Sequence, residues 1–363
     1  MPRKPRSHNC DPRQVTVHHL WTRTVRRCFL FGRDSITGKD FSHREGWITS
    51  RLQHLAKFFA IDIFAFAAMS NHCHLVVRTR PDLVAQWDDQ EVVRRWLSML
   101  SRRRRSPEPT EQEIQAVRGT PGAVAKLRLR LSDPSWLMRM LCQHVAIRCN
   151  QEDECSGRVF QDRFQQSALE SEADVLACMA YVDLNPLRAG MSQSLEEYAD
   201  VSIGQRLRTL SGEAPETAAW LQPLQREQPS VVAEQGLSAE QRETQCETQC
   251  AAQRETQCET RRGELRGRLG CIGMSLEDYL GLLGRLAELQ RPELRGRLDD
   301  QPRREFRHGG KKLDVKALNA QLDELAARYV VRRPKWEREL LEQRDEGGVP
   351  AAAPAADAST TAG

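Results

Sequence analysis

Residues 61–77 constrain the fold more than any other stretch of the chain. Ile63 to Met69 is its longest uninterrupted apolar run, and Ile61 to Met69 reads as a short buried strand. Ser70-Asn71 is a turn signal. His72 to Val77 then reads as a second strand, so the two pair as an antiparallel hairpin. The second strand opens with His72-Cys73-His74-Leu75. Side chains alternate along a strand, so His72 and His74 project from one face and Cys73 and Leu75 from the other. Same-face neighbours sit roughly 6–7 Å apart. Two imidazoles at that spacing suit a shared divalent metal. They equally suit a pair of polar histidines on an exposed sheet face.

The surrounding residues supply further elements. His18 to Phe31 is rich in strand formers and stops at Gly32. Residues 44–59 carry Ile48, Leu52, Leu55 and Phe59 at helical spacing. Asp88-x-x-Glu91 resembles a capping box opening a helix with Val93, Trp96, Leu97 and Leu100 on one face. A polar insert starts at Arg102–Arg105 and runs to about residue 130. Trp136 to Asn150 reads as helix, Gly157 to Leu169 as loop and strand, and Ser171-x-x-Asp174 caps a helix that Pro186 breaks. Strands and helices in that order predict an α+β domain with a largely antiparallel sheet.

A second constellation lies on the last of those helices. Tyr181 and Asn185 stand at i and i+4, on one helix face. A phenol there suits a nucleophile that forms a covalent intermediate, and an amide oxygen suits a third metal ligand. The same two residues also suit plain packing and capping before Pro186. The chain has four tyrosines, so few others compete for the role.

Charge bears on the partner. The net charge of +4 is unevenly spread: residues 1–100 hold 16 Lys and Arg against 9 Asp and Glu. That basic excess suits a polyanion. Arg23, Arg26 and Arg27 on the first strand, Arg163, and the Arg102–Arg105 run are candidate backbone contacts, each equally explicable as a solvated or ion-paired side chain. Trp21, Trp96 and Trp136 suit either base stacking or core packing. Eleven cysteines form no CxxC pair, which excludes a zinc ribbon and is read as reduced thiols. No run reaches membrane-spanning length and no apolar h-region follows the basic start. A cytoplasmic, nucleoid-associated protein is therefore expected.

Three blocks together resemble a known family. They are Met69-Ser-Asn-His72-Cys-His74-Leu-Val-Val77, Gly157-Arg-Val-Phe160-Gln-Asp-Arg163-Phe164, and Tyr181-Val-Asp-Leu-Asn185-Pro-Leu-Arg188-Ala-Gly190. In that order they are similar to the single-tyrosine HUH transposases, and more narrowly to the REP-associated tyrosine transposases, across residues 1–205. The resemblance implies a ferredoxin-like core with the histidine pair on a central strand. It implies cleavage of single-stranded DNA near hairpins, with Mg2+ or Mn2+. Tyr181 attacks the phosphodiester to leave a 5′-phosphotyrosine and a free 3′-hydroxyl. His72 and His74 become metal ligands, with Asn185 in the place of a third. Members occur as monomers or homodimers. No general base is legible; a metal-bound water or His18/His19 are the candidates. Cys73 and Ser70 depart mildly from the family pattern. The alternatives are a domesticated module that binds hairpin DNA or RNA without cutting, and a metal-dependent hydrolase. The latter is disfavoured because no Asp or Glu stands at ligand spacing.

Beyond residue 205 the character changes. Gln241-Arg-Glu-Thr-Gln-Cys-Glu-Thr recurs at Gln253–Thr260, and Glu264-Leu-Arg-Gly-Arg-Leu recurs at Glu293–Leu298. Short perfect polar repeats suit a tolerant linker at 206–263. Helical periodicity at Met274–Leu289 and Val315–Val331 suggests a small helical module within 264–340, and 341–363 reads as a disordered tail.

Overall fold

The computed structural model describes residues 13–34, 37–100, 108–192, 194–195, 198–211, 220–224, 272–290, 306–308 and 311–329. The Arg102–Arg105 run, the repeats and the tail lie outside the described residues. Strands β1 (Val17–Arg23), β2 (Ile61–Met69), β3 (His72–Thr79) and β4 (Gln165–Leu169) form one sheet in the order β2-β3-β1-β4, antiparallel throughout. Helix α1 (His43–Ala56) connects β1 to β2. Helices α2 (Pro81–Val84), α3 (Asp89–Met99), α4 (Glu111–Arg118), α5 (Ala123–Leu131) and α6 (Pro134–Glu152) lie between β3 and β4. This is the α+β, ferredoxin-like connectivity expected from the sequence, with β1 and β3 at the centre. The first strand is shorter than its strand-forming composition predicts. It ends at Arg23, and a tight 3-10 turn, Val25–Arg27, follows with Arg26 and Arg27 in left-handed backbone (φ 52° and 61°).

The sheet divides two apolar cores. Leu20, Cys73, Leu75 and Val77 face α1, α3, α5 and α6. Val17 and Val76 face α7 (Glu172–Asp183) and the helical segments after it. A register shift between Ile63 and Ala65 turns Phe64 and Ala65 to the same side, the signature of a bulge. The free edge of β2 is covered: Ala68 N–H donates to Asp200 O (2.9 Å) and Gln222 N–H to Ile63 O (2.8 Å), which blunts it against pairing with another chain.

The polar insert differs from its sequence reading. Much of it is helix, with Ile114, Leu127 and Leu131 buried against the layer of α3 and α6. A Thr110–Glu113 capping box starts α4. At the other end, α8 (Asn185–Arg188) and α9 (Ser202–Leu210) follow α7. The periodic segments further on form α10 (Leu276–Gln290) and α11 (Val315–Tyr329), the latter preceded by the two-residue strands β5 (Arg307–His308) and β6 (Lys311–Lys312). Tyr279, Leu282, Leu286, Leu318 and Leu322 share one core with Leu176, Met179 and Val182 of α7.

Gly204 in α9 marks a close approach. A Cβ added there would lie 2.1 Å from the backbone oxygen of Tyr198. Gly204→Ala therefore forces backbone apart beside the Asp200 and Val201 anchors of the β2 edge. It is expected to cost about 3 kcal/mol in urea unfolding, where an ordinary exposed helical Gly→Ala stabilises.

Candidate active site

Cross-strand register assembles the site. Arg23 stands opposite His72, Trp21 opposite His74, and His19 opposite Val76. Paired residues share a face, so His19, Trp21, Arg23, His72 and His74 all project toward α7. His18, the other histidine weighed as a base, projects to the opposite face. Its Nε2 meets Thr16 Oγ1 (2.7 Å) and its Nδ1 meets Gln166 Nε2 (3.1 Å), so it is not part of the site.

On the shared face the rings stack edge to face. His72 and His74 centroids are 4.9 Å apart at 86°, and His74 and Tyr181 are 5.5 Å apart, also at 86°. His19 lies beside His74, their rings 19° from coplanar with centroids 5.0 Å apart, and Trp21 lies 5.1 Å from His19. Tyr181 is only 4% exposed. The structure thus brings the histidine pair and the tyrosine together from segments a hundred residues apart in sequence. Asn185 begins α8, one turn past Tyr181. It is buried, and its Nδ2 has no hydrogen-bond partner among the described residues. Arg163 is exposed before β4, and the Gln161 N–H to Arg23 O bond (2.9 Å) holds that segment at the Arg23 end of the sheet. No contact of the Arg163 guanidinium appears among the described residues.

Asn71 orders the first histidine. Its Nδ2 donates to Arg27 O (3.2 Å), which fixes which end of the amide is which. Its Oδ1 therefore accepts from His72 Nδ1 at 2.7 Å. A neutral imidazole protonated at Nδ1 keeps its lone pair on Nε2. The left-handed turn at Arg26-Arg27 is what presents the Arg27 carbonyl. His74 Nδ1 meets His19 Nε2 at 2.9 Å, so its ring is held at the same position. Contacts of this kind, made by the nitrogen that faces away from a metal, are what orient imidazole ligands.

Burial keeps these rings neutral. It pushes His72 down to about 4, with Arg23 adding to the effect, and His19 down to about 3. His74 is held well below its ordinary value by burial, then by His72, His19 and Arg23. Neutral imidazoles are competent ligands and, with pKa values this low, feeble proton acceptors. His19 is accordingly a poor general base, despite its place beside Tyr181.

Two residues of the third block acquire contacts that the sequence did not assign. The Arg188 guanidinium lies over the Tyr181 ring at 5.6 Å and donates to Leu322 O of α11 (3.4 Å). Asp183 is fully enclosed. It accepts from the Ser202 hydroxyl, from Ile203 N–H (3.0 Å) and from Tyr279 OH (2.8 Å). Arg206, itself bonded to Phe64 O (2.7 Å), faces it electrostatically. The helix that carries Tyr181 is thereby tied to β2, α9 and α10.

Burial of neutral histidine also sets an acid limit. His18 has its pKa pushed down to about 4. Below the unfolded value of about 6.5 the unfolded chain takes up a proton that the folded chain refuses, so stability falls as pH drops from 6.5 toward 4. Between pH 7.5 and 5.0 this one group is expected to remove about 2 kcal/mol. The urea-unfolding free energy of His18→Gln should fall less over that interval by this amount; an equal fall in both proteins would refute the assignment.

No protein-family model and no curated protein matches the chain. Among solved structures it matches one described as the structure of a REP-associated tyrosine transposase bound to a REP hairpin. Identity is 12%, over 66% of this chain and 100% of that one, with a TM-score of 0.33. A likeness that distant assigns no family, and function is read from the residues themselves.

Proposed function

We propose that the protein is a metal-dependent endonuclease and strand-transferase acting on single-stranded, hairpin-containing DNA through a covalent tyrosine intermediate. The observation that carries the reading is the placement of the Tyr181 ring against His74, itself packed on His72. Support also comes from the three sequence blocks, from the neutral imidazoles, and from the arginine at the edge of the site.

The donor set fits a magnesium or manganese ion. His72 Nε2 has its lone pair available because Nδ1 carries the proton donated to Asn71. His74 offers Nε2 when the shared proton sits on its Nδ1. Among the described residues no cluster of three His, Cys, Asp or Glu residues is arranged to hold a metal. The resemblance puts Asn185, buried one turn beyond Tyr181, in the place of a third ligand, which it would fill with its amide oxygen. Two imidazoles and one amide leave coordination positions for water and phosphate. The bound ion supplies Lewis-acid polarisation of the phosphoryl group.

The chain's own residues do the rest. Tyr181 Oη forms the bond to phosphorus while the bond from phosphorus to the 3′ oxygen breaks. The segment downstream of the break stays on Tyr181 through its 5′-phosphate, the phenol loses its proton, and the departing 3′ oxygen of the upstream segment gains one. Reversal with another 3′-hydroxyl joins strands. Arg188 places positive charge over the phenol as it becomes an ester oxygen, and Arg23 and Arg163 lie at the edge where the strand's phosphates pass.

The test is a cleavage assay on labelled single-stranded hairpin DNA from the flanks of the protein's own gene, with Mn2+ or Mg2+. A protein–DNA adduct that resists denaturant is the expected result. Binding without adduct under either metal would replace this reading with the non-cleaving binding module.

A further inference from the structure

Several arginines of the α3–α6 layer are ion-paired: Arg94 and Arg95 with Glu91, and Arg128 with Asp89. Arg44, against α6, is bonded to Glu152 and Asp153. Arg148 of α6 lies on the Trp47 ring at 4.0 Å. Arg130 and Arg139 share a single indole. Arg130 lies 4.3 Å from the Trp136 ring and 5.4 Å from Trp96. Arg139 lies 4.8 Å from the same Trp136 ring. Neither has a carboxylate partner among the described residues. Trp136 is held edge-on by Trp96 at 5.3 Å, so one fixed indole orients both cations.

Geometry gives this pair its meaning. Two groups at those distances from one ring centre are at most about 9 Å apart. That reaches phosphates a few nucleotides apart along a strand that rises ~3.4 Å each. A guanidinium on an aromatic face keeps its plane fixed and its N–H edge free of that face, the geometry of bidentate phosphate binding. Arg139 is exposed, as is Gln143 one turn along α6. The α3–α6 layer packs on the Leu20, Cys73 and Leu75 face, opposite to His72 and His74.

We propose that Arg130, Trp136 and Arg139 form a second nucleic-acid contact, which grips the phosphate backbone of duplex DNA on the far side of the sheet from the cleavage site. The choice of DNA as the polyanion rests on the proposed function; the contact itself does not. A strand cut at Tyr181 and a duplex held at α6 would then lie on opposite faces, so the contact anchors flanking or stem DNA and leaves chemistry untouched.

The experiment measures binding of a labelled 20-base-pair duplex without hairpin to the full chain, by anisotropy, at 50–200 mM salt. Arg130→Gln/Arg139→Gln is expected to bind about tenfold more weakly. Its slope of log affinity against log salt should be shallower by roughly 2, since each phosphate contact contributes ~0.9. Arg130→Lys/Arg139→Lys should keep the slope and lose part of the affinity. Unchanged thermal midpoints establish that both variants are folded. Duplex binding by Arg130→Gln/Arg139→Gln with wild-type affinity and slope overturns the proposal, as does a wild type that binds no duplex. The adduct assay reads separately: failure of the nuclease leaves the duplex result standing, and loss of duplex binding leaves the adduct in place.

Discussion

Tyr181→Phe will form no covalent adduct with hairpin DNA, and strand cleavage will fall by at least about 10³-fold. The substitution removes one oxygen from a ring packed at 5.5 Å against His74 and covered by Arg188. Packing is carried by the ring, so the variant keeps its fold and its affinity for DNA. That separates loss of a nucleophile from loss of a protein. Two of the three other tyrosines are poorly placed. Tyr198 donates its hydroxyl to Glu45 at 2.6 Å and Tyr279 donates to Asp183 at 2.8 Å. Each is bound to a buried carboxyl group that burial pushes up, Glu45 to about 8. An adduct that survives Tyr181→Phe and disappears in Tyr198→Phe would move the nucleophile and sink the assignment.

Asp183→Ala is expected to be the most damaging single change to stability among the polar residues of the site helix. It strands the Ile203 N–H and the Tyr279 hydroxyl, leaves the Ser202 hydroxyl with only its longer bond to Phe66 O (3.2 Å), and takes away the negative charge that faces Arg206. Removing one partner of a buried charge network costs about 3–5 kcal/mol. Asp183→Asn keeps the shape and one acceptor and should cost less than half as much. Urea unfolding measures both. A loss under about 1 kcal/mol for Asp183→Ala, well short of the cost of an uncompensated buried group, would mean that water replaces the carboxylate and that the network does not tie α7 in place.

Much of this was legible in local pattern. The β2–β3 hairpin showed itself because an apolar run, a turn and an alternating strand follow one another within a single short stretch. The helix of Tyr181 carried its own Ser171–Asp174 capping box, which the structure bears out. What was not legible depends on pairing across distance. The contact of His19 with His74 follows from the β1–β3 register, which no stretch of either strand specifies alone. The tie between Asp183 and Tyr279 spans 96 positions. The insert misled because only Ile114, Leu127 and Leu131 of its two helices are buried, too few to make a strong apolar period among so many charges. Its Thr110–Glu113 capping box was the signal to read.

Leu224 and Ile272 are both buried in the core that contains α7. The chain between them, which holds the perfect eight-residue repeat at twelve-residue spacing, therefore runs between two fixed points of one folding unit. Closing a loop costs entropy that grows only with the logarithm of its length. Twelve residues added to roughly fifty change that closure term by about 0.2 kcal/mol. The closure cost of a further copy is therefore small, while the site helix, anchored on both sides of this stretch, stays under full structural constraint.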